Sequence, residues 1–217
     1  KNYTINTDGS IDVDGDVKLF GKRLTKLPLK FNNVSGYFTC GYNKLTTLEG
    51  SPKSVGGYFW CNDNNLTTLE GGPKSVGGDF YCDNNNLTTL EGCPKSGGDF
   101  NCGHNKLTTL EGSPKSIGGG FKCHHNKLTT LEGGPKSVGG YFSCSGNKLT
   151  TLEGGPQSVG GGFDCDVNNI LSFEGAPNRV GGDFICYDNP IENIWKLFRD
   201  YSKIELLNDL DPIRGND

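Results

Sequence analysis

The chain has no run of apolar residues approaching the roughly 20 needed to cross a bilayer as a helix. The opening Lys1-Asn2-Tyr3-Thr4-Ile5-Asn6 lacks an apolar h-region, so it does not read as an uncleaved secretory signal. A basic excess is lacking too: 21 Lys and Arg stand against 25 Asp and Glu, a net charge of -4. A nucleic-acid surface usually carries the opposite sign. Apolar residues make up only 33%, low for a globular core. Neither G-x-x-x-x-G-K-[ST] nor G-x-G-x-x-G ahead of a helix occurs, which removes the common phosphate-binding loops. These absences argue against a membrane, a nucleic acid and a nucleotide cofactor as partners.

Glycine, by contrast, is abundant at 34 of 217 residues, far above the usual level of about 7%. The glycines are evenly spaced, which marks a repeat and not a disordered tract. The stretch Gly56-Gly57-Tyr58-Phe59-Trp60-Cys61-Asn62-Asp63-Asn64-Asn65-Leu66-Thr67-Thr68-Leu69-Glu70-Gly71 returns, edited, down almost the whole chain. A repeat fold buries a thin continuous core, so it needs few apolar residues per unit.

Eight of the nine cysteines share one register: Cys40, Cys61, Cys82, Cys102, Cys123, Cys144, Cys165 and Cys186. Zinc sites pair close ligands such as C-x2-C, and disulfide frameworks lack this single period. A buried column of reduced thiols fits, and it points to a reducing compartment, the cytoplasm. Cys93 stands apart, before Pro94, where other units carry Ser, Gly or Ala.

Each unit keeps Phe two residues before Cys, so both face one side of a strand. Asn follows three residues after Cys, where the chain leaves the strand and its backbone groups need new partners. Two apolar positions three apart come next, then Glu-Gly-x-Pro and a Val or Ile that returns inward. In the unit at Pro94-Lys95-Ser96-Gly97-Gly98 that Val is missing. A tighter arc with unchanged strand register is expected there.

The spacing F-x-C-x-x-N-x-L-x-x-L resembles the leucine-rich repeat, L-x-L-x-x-N-x-L-x-x-L, over about residues 15–195. The continuation Leu-Thr-Thr-Leu-Glu-Gly-x-Pro-Lys-Ser-Val is similar to the short bacterial class of these repeats. The departures are Phe and Cys for the strand leucines, and Gly-Gly ahead of the strand. Units with Gly-Gly-Asp-Phe-x-Cys also resemble repeat proteins of bacteria and their phages, a resemblance that brings no activity with it. It implies an α/β, β-dominated solenoid: a right-handed superhelix of about nine rungs with one parallel sheet on its concave face.

Three segments follow. Residues 1–14 alternate around Thr7-Asp8-Gly9-Ser10 and read as a β-hairpin cap. Their carboxylates Asp8, Asp12 and Asp14, with Asp16, lack the Gly and Glu placement of an EF-hand, so they read as solvated edge protection. Residues 15–189 form the solenoid, beginning with a degenerate unit (Val17, Leu19, Leu24, Leu27, Val34). Residues 190–217 read as a helical cap, with Trp195 and Phe198 as plugs.

No catalytic constellation appears. The strand cysteines point inward, and a reactive thiol needs exposure and an electropositive setting. His104 and His125 fall in one column of neighbouring strands about 5 Å apart, with His124 one column over. They read as surface histidines, without a metal.

Comparing the units locates function. The arc Leu-Thr-Thr-Leu-Glu-Gly barely changes, whereas the outward strand positions change at nearly every rung. Tyr37, Tyr42, Tyr58, Trp60 and Tyr81 cluster in the N-terminal half, bordered by Asp79, Asp83 and Asp99. Tyr and Trp are enriched at binding hot spots, and the carboxylates favour a partner with basic groups. The expectation is a non-catalytic protein-binding module using the concave face. The alternatives are a structural, self-associating protein with a phage connection and a carbohydrate binder using the aromatic patch.

Overall fold

A computed structural model describes residues 2–191, with the side chains of Lys95 and Ser96 outside the description. Beyond Ile191, the helical cap expected over 190–217 lies outside the described residues. The N-terminal strands are β1 (Tyr3–Ile5), β2 (Ile11–Val13), β3 (Val17–Lys18), β4 (Phe31–Val34) and β5 (Phe38–Thr39). Two-residue strands then follow in pairs: β6 (Ser54–Val55) and β7 (Phe59–Trp60), β8 (Ser75–Val76) and β9 (Phe80–Tyr81), β10 (Lys95–Ser96) and β11 (Phe100–Asn101). The later pairs are β12 (Ser116–Ile117) and β13 (Phe121–Lys122), β14 (Ser137–Val138) and β15 (Phe142–Ser143), β16 (Ser158–Val159) and β17 (Phe163–Asp164), β18 (Arg179–Val180) and β19 (Phe184–Ile185).

The strands stack as a parallel β-solenoid of about eight turns. The Phe strands form one nine-stranded sheet from β3 to β19, in register from Val17↔Phe38 to Phe163↔Phe184. Among the described residues there is no helix, so they are β-only where an α/β fold was expected. The expected parallel sheet is not alone: the Ser-Val segments pair as well, in a six-stranded and a four-stranded sheet. The Val or Ile seen as a mere return to the core is itself a strand residue that pairs between turns. The hairpin β1–β2 is antiparallel, and β2 also pairs in parallel with β4, so it doubles as the first strand of the stack.

Identical positions stack one turn apart, which makes the core a set of columns. Phe38, Phe59, Phe80, Phe100, Phe121, Phe142 and Phe163 are fully buried, with neighbouring ring centroids 5.1–5.9 Å apart. The cysteines beside them are free, and burial pushes the Cys40 thiol up to about 12. Several thiols donate to the next turn, as Cys123 Sγ does to the Ser143 carbonyl at 3.3 Å.

Where the strand ends, Asn takes over. Asn64 Nδ2 donates to the carbonyls of Cys40, Cys61 and Asn62 at 3.0, 3.1 and 3.2 Å, and its Oδ1 accepts the Leu45 N–H at 2.9 Å. The same set recurs at Asn85, Asn105, Asn126, Asn147 and Asn168. The residue just before each Asn has positive φ, at Tyr42, Asp63, Asn84, His104, His125, Gly146, Val167 and Asp188. Asn and Asp tolerate that conformation, while a β-branched Val at φ 51° is a true outlier. The Glu-Gly corner is a type II turn: Ser51 N–H donates to Leu48 O at 2.9 Å, with Gly50 at φ 89°.

The Gly-Gly pair answers to space and not to φ. A Cβ on Gly139 would be driven into the carbonyl oxygen of Gly118, and one on Gly160 into that of Gly139. Neighbouring turns meet too closely there for any side chain. The missing residue in the unit at Pro94 has its effect at this corner. Register is kept in the Phe sheet (Phe80↔Phe100↔Phe121), as expected. The second sheet breaks instead: β10 pairs with β8 alone, and β12 starts a new sheet with β14. Packing loosens at that break, where a Cβ on Gly118 would lie 3.2 Å from Gly97 O with nothing else in reach.

The contrast is testable by chemical denaturation. Gly139→Ala should cost about 2 kcal/mol or more through overpacking, and Gly118→Ala should cost clearly less. Equal losses would show that conformational freedom, not inter-turn spacing, selects these glycines.

Candidate functional site

The outward residues of the nine-stranded sheet form a grid of three columns. The first, before Phe, runs Asp16, Tyr37, Tyr58, Asp79, Asp99, Gly120, Tyr141. The second, after Phe, runs Lys18, Thr39, Trp60, Tyr81, Asn101, Lys122, Ser143. The third, after Cys, runs Gly41, Asn62, Asp83, Gly103, His124. Parallel register fixes this grid, because each column repeats at the strand spacing of about 4.8 Å.

Four of the five expected aromatic residues form one stack. Tyr37 lies on Tyr58 (4.4 Å, 8°), Tyr58 on Trp60 (4.3 Å, 27°) and Trp60 on Tyr81 (5.5 Å, 1°). Tyr42 is not part of it: it sits at the turn and pairs with Phe20 at 4.8 Å. Its place one residue further along the chain puts it outside the strand columns.

The three expected carboxylates gather around Tyr81. Burial first, and then Asp79, Asp99 and Asp83, push its phenol pKa up. Asp79 and Asp99 also have a structural task. Asp79 Oδ1 accepts the Asp99 N–H at 2.8 Å, and Asp99 Oδ1 accepts the Gly120 N–H at 2.6 Å. Asp16 does the same for Tyr37 N–H at 3.2 Å. Asp83 is held above the usual carboxylate range by burial and by Asp63.

Lys18 escaped the sequence reading. The Lys18 ammonium lies 5.3 Å from the Tyr37 ring centroid, over the outer face of the stack. Asn62 Oδ1 and Trp60 Nε1 are buried without hydrogen-bond partners. Further along, Asp164 Oδ2 accepts from Tyr141 Oη and Ser143 Oγ, both at 2.9 Å. Beside it Asp166 is pushed up to about 6 by burial and by Asp164. Aligning the units into columns would have placed Lys18 beside Tyr37; the hydrogen bonds needed coordinates.

The histidines come together as expected. His104 stacks on His125 at 4.5 Å, and His124 meets both edge-on at 5.1 and 5.6 Å. Glycines make room for them: a Cβ on Gly103 would meet the His124 ring, and one on Gly146 the His125 ring. Burial, then the neighbouring His104 and His125, pushes His124 down to about 4. Among the described residues no group of three His, Cys, Asp or Glu is placed to hold a metal ion.

The hairpin carboxylates tie the first strands to the next turn. Asp8 accepts from Ser10 and Lys30, Asp12 from Asn32, and Asp14 from Ser35. Cys93 is half-buried, its Sγ 2.9 Å from Gly112 O, where Ser113 Oγ makes the equivalent bond to Gly133 O one turn on. Among the described residues no helix is long and apolar enough to cross a membrane. No protein family, no curated protein and no solved structure matches this chain.

Two predictions concern these side chains. Trp60→Phe keeps a ring in the stack and removes an unpaired buried donor, an arrangement that costs about 1–3 kcal/mol. Its urea midpoint should therefore equal or exceed that of the parent. The lowered His124 pKa means that the unfolded chain takes up its proton near the usual 6.5 while the folded chain waits until about 4. Its contribution to stability is present above pH 6.5 and is lost as pH falls towards 4. Midpoints measured across that window should fall less steeply for His124→Gln than for the parent; parallel curves would remove His124 from the explanation.

Proposed function

We propose that this chain is a non-catalytic binding module that takes a protein partner on the outward face of the nine-stranded sheet, centred on Tyr58, Trp60 and Tyr81. The observation that carries this reading is the continuous stack of four rings on the outward face of the nine-stranded sheet. Rings already ordered by stacking lose little freedom on binding, and Tyr and Trp combine apolar area with polar tips. The likeness to leucine-rich repeats, limited to spacing, belongs to this proposal, as does a reducing compartment such as the cytoplasm for the free cysteines. The absence of catalysis is also part of it, supported by thiols that burial holds protonated.

The carbohydrate reading has less support. A sugar platform spreads several open ring faces, and in this stack every face except the far side of Tyr81 lies against another ring or Lys18. The rings offer mainly their edges, which suits a partner with its own side chains.

Capture of partners from the source cell by the immobilised chain, read by mass spectrometry, tests the proposal. Trp60→Ala with Tyr81→Ala should remove the specific partner, while Lys136→Ala on the far arc should not. Retention by the double variant would overturn the assignment of this face.

A further inference from the structure

The ring stack has two ends, and they differ. At one end the Lys18 ammonium covers the outer face of Tyr37, 5.3 Å from its centroid. At the other end, among the described residues, no ring and no cation is stacked on the far side of Tyr81. The next residue in that column is Asn101, whose Oδ1 is turned to the Gly103 N–H at 3.0 Å. Beyond the third-column Asp83 comes Gly103, which has no side chain.

Carboxylates surround this end of the stack. Asp79 and Asp83 flank Tyr81 on its own strand, and Asp99 lies one turn on. In Asp79 and Asp99 Oδ1 accepts a backbone N–H of the following turn, and among the described residues Oδ2 has no hydrogen-bond partner. Among the described residues the only ion pair is Lys30 with Asp8, far from this end, so the three carboxylates have no ion-pair partner. Lys122, two turns on, acts on Asp83 only at a distance.

We propose that the Tyr81 end of the stack is a receptor for a cationic side chain of the partner, with arginine as the best fit. A guanidinium lies flat on an aromatic face and donates in its own plane to two carboxylates, which a compact ammonium does less well. Lys18 on Tyr37 is the same contact made within the chain at the opposite end. The inference rests on the proposed binding face and names the chemistry that this face reads.

The probe is a capped Gly-Arg-Gly-Arg-Gly peptide, with an otherwise identical peptide carrying citrulline for arginine as the neutral control. Binding is read from the Trp60 indole and Tyr81 ring signals by NMR, with Trp195→Phe to leave one indole. The arginine peptide should give saturable shifts, and the citrulline peptide should bind roughly tenfold or more weakly. Asp79→Asn with Asp99→Asn keeps the Oδ1 acceptor for the backbone and removes only the charge. That variant should keep its denaturation midpoint and lose arginine binding by a similar factor. Equal binding of both peptides, or undiminished binding by the Asn variant, overturns the cation receptor. If partner capture depends on Trp60 and Tyr81 but not on Asp79 and Asp99, the cationic inference fails and the binding face stands. If capture depends on neither, both fail.

Discussion

The carboxamide of one asparagine per turn decides how this chain stacks. At the end of each Phe strand the backbone bends away, and carbonyls that would pair along a longer strand point into a protein interior. Asn64 collects three of them with one NH2 group, and its oxygen takes the N–H of Leu45. Two of these partners belong to the preceding turn, so the bond that satisfies a corner also welds two turns together. A buried carbonyl or N–H left alone costs about 1–3 kcal/mol, and each asparagine prevents several such losses. No other residue of this size combines two N–H donors with a two-lone-pair acceptor.

The rest of the geometry depends on that weld. Once the turns are locked at strand spacing, every column is a stack of like with like. This suits Phe and Leu inside, Gly at the crowded corner, and ring upon ring outside. It also explains why a lost residue is tolerated in the unit at Pro94. The Asn and Phe columns run through that turn without a break, and the shortage is passed to the Ser-Val sheet, which divides between β10 and β12. Outside, the same stacking gathers three carboxylates around Tyr81, with no ion-pair partner among the described residues.

Much of the interior was legible from residue order. Phe-x-Cys placed both side chains inward, the Asn was read as a backbone partner, and the register across the short unit was anticipated. A 21-residue period carries that information, because inward and outward positions alternate strictly in a strand. The second sheet was not legible. Ser-Val is too short to show alternation, and its pairing exists only because adjacent turns lie in register. The reason for the Gly-Gly corner was not legible either: composition shows that a side chain is lacking, but not whether dihedral angle or space requires it. At the candidate site, Tyr37, Tyr58, Trp60 and Tyr81 were found from their variation between units. Tyr42 was grouped with them on proximity in sequence, and its turn position sends it to Phe20.

The sequence by itself therefore determined the period, the residues of each core column and the set of outward positions free to vary. These follow from local alternation and from the repetition of one motif. Only the tertiary structure decided that the turns carry two walls of strands, that the tyrosines and Trp60 share a single stack with unlike ends, and that Asp79 and Asp99 are pinned by one oxygen each. Those features arise between turns, from contacts about 20 residues apart in the chain, and their distances are set by backbone bonds that no single unit contains.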